Sequence, residues 1–324
     1  MNAVTGKRLI YVSDDQPGIS RRRRGRGFTY IAPDGTTIAR GAERRRLEAL
    51  AVPPAYEDVW MCTLANGHLQ ATGRDARKRK QYRYHPDWTE AQSLTKFAGL
   101  ARFGHALPRL RRRVARDLEE QEGEHIFALA CAVTLIDRTA MRVGDPAYTS
   151  ENGSYGALTL RNRHVELDGD ELRLRYRAKG GKKVRRTMTD RKLARILDRI
   201  GDLPGKELLS WTDKEGQAHS VGSADLNAYI ADITGEEGMT AKTFRTWAGT
   251  LSAFKIAEKG GATIKAMSEA AADTLSNTPT IARNSYIHPE VIALAKGDPL
   301  EIEGLDKRDL YAAEGRLLRF LENG

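Results

Sequence analysis

The chain has 324 residues, 40% hydrophobic and 30% charged, a balance that fits an ordinary folded protein of about two domains and excludes a disordered or low-complexity one. Its 53 Lys and Arg against 43 Asp and Glu give a net charge of +10, which favours a polyanionic partner through counterion release. Residues 1–90 hold 17 of the basic and 10 of the acidic side chains, so +7 of that excess lies at the N-terminal end.

The first basic feature, Arg21–Arg24 with Arg26 one glycine later, combines charge repulsion with flexible glycine and is expected to stay partly mobile unless a polyanion neutralises it. From Gly27 to Tyr84 the chain reads as short extended pieces, Phe28–Ile31, Asp58–Thr63 and His68–Ala71. Pro33-Asp34-Gly35 and Asn66-Gly67 separate them, the latter a strong hairpin signal. One helix is predicted over Ala42–Leu50, before Pro53-Pro54. Arg74–Tyr84 interleaves aromatics and Gln81 with cations, a mixture that suits phosphate contacts together with base or sugar edges better than a bare solvated loop.

After Pro86 the spacing turns helical, over Glu90–Phe103, Leu107–Gln121 and a mostly buried stretch from Glu124 to Val143, which puts a domain boundary near residue 90. Arg109 and Arg111–Arg113 read as the solvated face of such a helix. Ala157–Leu160, Val165–Leu167, Glu171–Arg177 and Val184–Met188 read as extended pieces of a small antiparallel sheet, with turns at Asp168-Gly169 and Gly180-Gly181. In Glu171–Arg177 strict alternation sends Leu172, Leu174 and Tyr176 inward. Helical patterns fill nearly everything from Asp190 onward. The fold class is therefore α+β: a small antiparallel β-rich domain (1–90) and a mainly α-helical domain (91–324) with a small three-stranded antiparallel sheet.

Several functions lack their residues. There is no Walker phosphate loop and no HExxH metal motif, so neither nucleotide- nor metal-driven chemistry has support. Cys62 and Cys131 form no CxxC pair and read as free thiols in a reducing compartment. The longest apolar run, Ile126–Ile136, falls short of the roughly 18 residues a membrane span needs, and the N-terminal residues carry no signal-peptide core, so the expected location is the cytoplasm.

Four separated segments become coherent when phosphodiester chemistry is considered. Asp137–Gly144 ends the buried helix, with Gly144 as the expected stop and Arg142 at its terminus, where Asp137 is the alternative ion-pair partner. Arg177–Lys183 carries Lys179 at a hairpin tip, a place where a solvated turn lysine is also ordinary. Ala241–Trp247 sets Arg245 between Phe244 and Trp247, costly unless the guanidinium meets an anion. Leu275–Pro289 presents Asn277 and Tyr286 beside two helix breakers, and on its own Tyr286 reads equally as a packing tyrosine.

Taken in this order, the Arg142-Val-Gly144 motif, Lys179, the Lys242–Thr250 stretch and the Asn277-Thr-Pro279 to Ser285–Pro289 stretch resemble the catalytic domain of the type IB DNA topoisomerases, in their bacterial and poxvirus-like branch. Gly73–Pro86 resembles that family's N-terminal DNA-contacting stretch. The resemblance implies a monomeric enzyme of the bacterial nucleoid that acts on duplex DNA as a C-shaped clamp, without ATP, cofactor or obligatory metal. It implies catalytic roles for Arg142, Lys179, Arg245, Asn277 and Tyr286, and DNA contacts from Arg79, Gln81, Tyr82, Tyr84 and Tyr148. Tyr286 would be the nucleophile, Lys179 the general acid, and Arg142, Arg245 and Asn277 the donors to the phosphate. Ser276 stands where the family usually has glycine, and Asp145 where poxvirus relatives have a basic residue. The alternatives are a site-specific tyrosine recombinase, against which Lys242 stands where that class usually has His, and a non-catalytic DNA-binding protein of the same fold.

Overall fold

The computed structural model describes residues 9–121, 123–201, 203–236 and 238–323, and the side chains of 93–96 and of Tyr148 lie outside that description. The chain divides into two compact units, Met1–Ala98 and Gly99–Gly324.

The first unit is built from β1 (Ile19–Arg24), β2 (Gly27–Ile31), α1 (Ala42–Ala49), β3 (Glu57–Met61), β4 (Leu69–Arg74), β5 (Lys80–Tyr84) and α2 (Pro86–Ala98). Its strands form one antiparallel sheet in the order β2-β1-β3-β4-β5. Ile19, Tyr30, Leu47, Val59, Met61 and Ala71 make its core, with α1 packed on through Leu47. The arginine run expected to be mobile is instead strand β1, each residue paired with β2. Arg21 explains how a tetra-arginine can hold a strand: its guanidinium donates to the carbonyls of Val52 (2.6 Å), Pro53 (2.8 Å) and Tyr56 (3.1 Å), and covers the Phe28 ring at 4.2 Å. Neighbouring charges can then point to water, as Arg22, Arg23 and Arg24 do.

The second unit begins with α3 (Leu100–Asp117), α4 (His125–Thr139) and α5 (Pro146–Asn152). The single helix expected over Glu90–Phe103 is broken at Gly99 between α2 and α3. Strands β6 (Val165–Asp168), β7 (Glu171–Arg177) and β8 (Lys183–Thr189) form the expected three-stranded antiparallel sheet, with Leu172 and Leu174 buried. Ala157–Leu160 is not part of it. Ala157–Thr159 is a turn of 3-10 helix, whose backbone is used to hold the end of α4. Next come α6 (Arg191–Gly201), β9 (Ser210–Thr212), β10 (Ala218–Ser220), α7 (Ser223–Thr234), α8 (Ala241–Ala257), α9 (Ile264–Leu275), α10 (Pro279–Tyr286), α11 (Pro289–Ala293) and α12 (Ala312–Asn323). The β9–β10 hairpin interrupts a region expected to be nearly all helical. Its strands are only three residues long, too short for a period-2 signal to rise above the helical pattern around it.

Helix α4 is the buried axis of this unit, with residues 127–136 all buried. Arg111 on α3 is not on a solvated face: it pairs with Asp137 (2.9 Å) and Glu314 (2.7 Å), tying α3, α4 and α12 together. Asp137 is thereby taken by Arg111 rather than by Arg142. Among the described residues no helix is long and apolar enough to cross a membrane, and Cys62 and Cys131 are both buried and form no disulfide.

Candidate active site

The site grows from the ends of four helices, α4, α8, α9 and α10. Helix α4 stops four residues earlier than the expected Val143, because Ala140 takes the left-handed conformation at φ 51° and donates its N–H to Ile136. Arg142 therefore lies in an extended segment, not at the last helical turn. Its carbonyl accepts from the Ala157 N–H (2.8 Å) and that of Val143 from Leu158 (2.7 Å). Gly144, at φ 93°, packs so tightly that an added Cβ would lie 2.7 Å from the Thr159 hydroxyl. The 3-10 turn thus fixes the backbone from which Arg142 projects.

On α8, Phe244 and Trp247 are buried, and Phe103 packs edge-on against both rings. The Trp247 indole N–H also donates to Glu314 (3.1 Å). These anchors hold Arg245, itself only 3% exposed, in one orientation. Its guanidinium donates to the carbonyls of Ala140, which caps α4, and of Leu275, the last residue of α9, and lies 5.0 Å from the centre of the Tyr286 ring. Burial is the chief cause that lowers the Arg245 pKa, and the Arg142 charge adds to it, while the charge and hydrogen bond of Tyr286 oppose the shift. An arginine stays protonated regardless, so the direction reports a cation whose environment is short of negative charge.

Helix α9 ends at Ser276, left-handed at φ 52°, which accounts for a family glycine position here held by serine at modest strain. Asn277 follows, 7% exposed, its N–H donated to Ala272 (2.9 Å). Its side-chain oxygen accepts from Arg142 and its backbone carbonyl from Lys182 (3.1 Å). With the oxygen engaged, the amide orientation is set and Nδ2 faces the site as a donor. Arg245 Nε and Asn277 Nδ2 are both buried without a hydrogen-bond partner.

Thr278 caps α10, Pro279 begins it, and Tyr286 is the last of its eight residues. The Tyr286 carbonyl accepts from the buried Thr250 hydroxyl (3.1 Å), which accepts in turn from the His288 N–H (3.1 Å). Gly249 allows this approach, since a Cβ there would fall 2.8 Å from the Tyr286 carbonyl oxygen and 2.9 Å from its Cβ.

The structure thus gathers Arg142, Arg245, Asn277 and Tyr286 at one place. Lys179 is exposed on the β7–β8 turn, where Gly180 and Gly181 take positive φ. Lys182 brings that turn to Asn277. Neither Lys182 nor Arg186 was legible as a site residue, although Arg186 donates to the carbonyls of Thr139 and Thr274 (2.6 Å to the latter) and so clamps the ends of α4 and α9. The alternation Val184, Arg186, Met188 on β8 carried a signal for Arg186, because it places an arginine on the inward face.

In the first unit, Gln81, Tyr82 and Tyr84 lie on β5, the edge strand of the sheet, and Arg79 immediately precedes it. Tyr82 and Tyr84 are about half exposed and their rings stack in parallel, 6.0 Å apart. Arg79 and Gln81 both reach Asp75, at 2.6 and 3.1 Å. Tyr148 falls on α5, and its side chain lies outside the described residues.

Residues 27–75 match the family model of the bacterial DNA topoisomerase IB N-terminal domain, and residues 79–282 that of the eukaryotic DNA topoisomerase I catalytic core. The DNA topoisomerase 1B of Acanthamoeba polyphaga mimivirus is 28% identical over 298 residues, covering 87% of this chain and 88% of that protein. The DNA topoisomerase 1B of vaccinia virus (strain Copenhagen) is 21% identical over 255 residues, 74% of this chain and 76% of the relative. The XerH site-specific recombinase bound to difH substrate superposes on 58% of this chain with a TM-score of 0.36 and 14% identity, covering 51% of that chain, too loose a match to bear on the fold. With one family model spanning more than half of the sequence and a second covering about half of the β-rich unit, the chain belongs to the type IB DNA topoisomerases.

Proposed function

We propose that this topoisomerase relaxes supercoiled duplex DNA by cutting one strand through Tyr286, letting the free end rotate and then religating it. The Tyr286 oxygen attacks a backbone phosphorus in line as its hydroxyl proton is lost to solvent. A tyrosyl ester forms at the 3′-phosphate and the bond to the 5′-oxygen breaks, so the phosphodiester energy is conserved and reversal needs no ATP. Negative charge grows on the non-bridging oxygens as the pentacoordinate phosphorane forms. Arg142, Arg245 and Asn277 are the donors assigned to those oxygens. The observation that carries this reading is a pair of buried, unpartnered donors, Arg245 Nε on a guanidinium 5.0 Å from the Tyr286 ring and Asn277 Nδ2 on the amide bonded to Arg142. Buried donors without partners are rare in folded proteins, and a phosphate would satisfy both.

Lys179 is assigned as the general acid that protonates the departing 5′-oxygen, assisted by Arg142, a contribution of roughly 10²–10⁴-fold in rate. Gln81, Tyr82 and Tyr84 on the exposed edge strand, with Arg79, Lys80 and Arg83 beside them, are assigned to the duplex, the cations to phosphates and the amide and aromatics to base or sugar edges. Tyr148 is carried as a further DNA contact. The working unit is taken to be the monomer.

Purified protein should relax positively and negatively supercoiled plasmid in EDTA without ATP, and Tyr286→Phe should abolish relaxation while leaving duplex affinity within about threefold, because only one hydroxyl is removed. Relaxation that persists in the Phe variant would dismiss Tyr286 as nucleophile. Strand joining confined to specific sites, with no relaxation of a plasmid lacking them, would dismiss free rotation.

A further inference from the structure

A second set of cations lies next to the site and has no part in the chemistry above. Tyr155 lines the same cavity as Arg142 and Arg245. The guanidinium carbons of Arg161 and Arg163 lie 5.7 and 6.0 Å from the centre of its ring, and Arg163 donates to its hydroxyl (3.0 Å). The arrangement is held from beneath. The Tyr155 N–H donates to the Arg177 carbonyl (2.7 Å), just before the turn that carries Lys179. His164, 9% exposed, packs its ring 4.3 Å from Tyr155 and accepts the Arg161 N–H at 3.1 Å. Asn162 pins the intervening 3-10 turn to Gly201 (2.7 Å).

No carboxylate lies within 4.0 Å of the Arg161 or Arg163 guanidinium among the described residues. The nearest acid in the sheet sequence, Glu166, is engaged by Arg173 (3.0 Å) and Arg175 (3.7 Å). Arg161 Nε is buried without a hydrogen-bond partner, as Arg245 Nε is. Two guanidiniums gathered around one phenol, without a carboxylate partner among the described residues, and a phenol that lines the cavity of Arg142 and Arg245, suit an external anion. Folded proteins seldom hold neighbouring arginines together without a counter-charge, because their mutual repulsion costs free energy.

We infer that Tyr155, Arg161 and Arg163 form a second phosphate-binding subsite, which grips the DNA backbone at a phosphate adjacent to the one Tyr286 attacks. The inference rests on the proposed function for the position of the attacked phosphate, but its ligand is recognised independently of any chemistry. The two guanidiniums supply forked donors to the non-bridging oxygens, and the Tyr155 hydroxyl orients Arg163. The subsite reads no base. It sets how the strand lies across Arg142 and Arg245, and it raises affinity for any duplex.

The test is duplex binding followed by fluorescence anisotropy across about 50 to 200 mM salt, in a Tyr286→Phe background that prevents cleavage. Arg161→Ala with Arg163→Ala should weaken binding at least tenfold and reduce the slope of log affinity against log salt by about 0.9, the release expected for one phosphate. Arg161→Lys with Arg163→Lys should keep the slope yet recover only part of the affinity, since a lysine lacks the fork. Tyr155→Phe should weaken binding by a few-fold. Arg173→Ala, whose arginine is already paired with Glu166 and Glu171, should change neither quantity. A double-alanine slope equal to that of the parent, or an Arg173→Ala variant that loses as much, would overturn the subsite. Covalent adduct formation by protein with Tyr286 intact is scored separately, so failure of the cleavage chemistry is distinguishable from failure of the subsite.

Discussion

In the proposed chemistry Asn277 has one task, to donate to the attacked phosphate. An isolated amide could present either its oxygen or its nitrogen to a phosphate, and only the nitrogen would help. Arg142 resolves the choice by donating to Oδ1, so the cation that lies nearest also orients the neutral donor. Removing one such donor from a phosphoryl or oxyanion site costs about 10²–10³-fold in rate elsewhere. Asn277→Ala is therefore expected to slow single-turnover cleavage about 10²-fold with duplex affinity little changed. Asn277→Asp should be slower still, because a carboxylate can accept from Arg142 but repels the phosphate oxygens; an aspartate variant as fast as the alanine one would contradict the donor role. The sequence made Asn277 and Arg245 candidates through their neighbours, helix breakers in one case and two aromatics in the other. It could not show the Arg142–Asn277 bond, which joins residues 135 positions apart.

At the scale of elements, the site depends on how closely α8 and α10 approach. Gly249 and Thr250 accomplish this together, the first by lacking a Cβ and the second by bridging the Tyr286 carbonyl and the His288 N–H. Gly249→Ala must push the end of α10 outward, since the new methyl would lie under 3 Å from backbone and Cβ atoms of Tyr286. Overpacking of this kind costs about 1–3 kcal/mol. The expected outcome is a lowered melting temperature and at least a tenfold slower cleavage step, with duplex binding retained; unaltered cleavage would mean that Tyr286 is not held by this contact. The end of α4 teaches a related lesson. Gly144 looked like the helix stop, yet Ala140 adopts the left-handed conformation at a cost of about 1 kcal/mol. That turn directs the Ala140 carbonyl to Arg245, a tertiary gain with no local signature. Strand β1 was misjudged for the same reason, because the carbonyls that accept from Arg21 lie more than 30 residues away.

The β4–β5 connection offers a titration at this scale. The Asp75 carboxylate accepts from the Arg79 side chain and from the Arg77 and Arg79 N–H groups, and these bonds, the side-chain one foremost, hold its pKa down at about 2. A depressed carboxylate stabilises the folded turn at pH values above its ordinary pKa of about 3.9, and the contribution is lost as pH falls through the folded value. The Asp75 carboxyl carbon shift in NMR should thus stay that of a carboxylate down to about pH 3. A midpoint near 3.9 would show that Arg79 is not engaged by Asp75 in solution and already points to solvent.

For the whole molecule, charge and core are distributed differently. Unit 1 (residues 1–98) carries 18 basic and 10 acidic side chains, a net +8, so residues 99–324 retain only +2 of the +10. Yet residues 99–324 contain every proposed catalytic residue and a core of their own, with Phe103, Phe127 and Phe254 fully buried. Arg111, Asp137, Glu314 and Trp247 lock α3, α4, α8 and α12 together within that same stretch. On the proposed assignment chemistry and affinity should therefore separate. A fragment of residues 99–324 should unfold in one cooperative thermal transition and form the Tyr286 adduct on a duplex at low salt. Because it lacks most of the positive charge, it should lose binding at roughly 0.15 M salt, where the full chain still binds, and its salt slope should be shallower by several phosphate contacts. A fragment that binds at that salt as tightly as the full chain would mean that the edge strand β5 and the arginines of β1 contribute nothing to the DNA interface. A fragment that melts without cooperativity would mean instead that the catalytic core depends on the first unit for its fold.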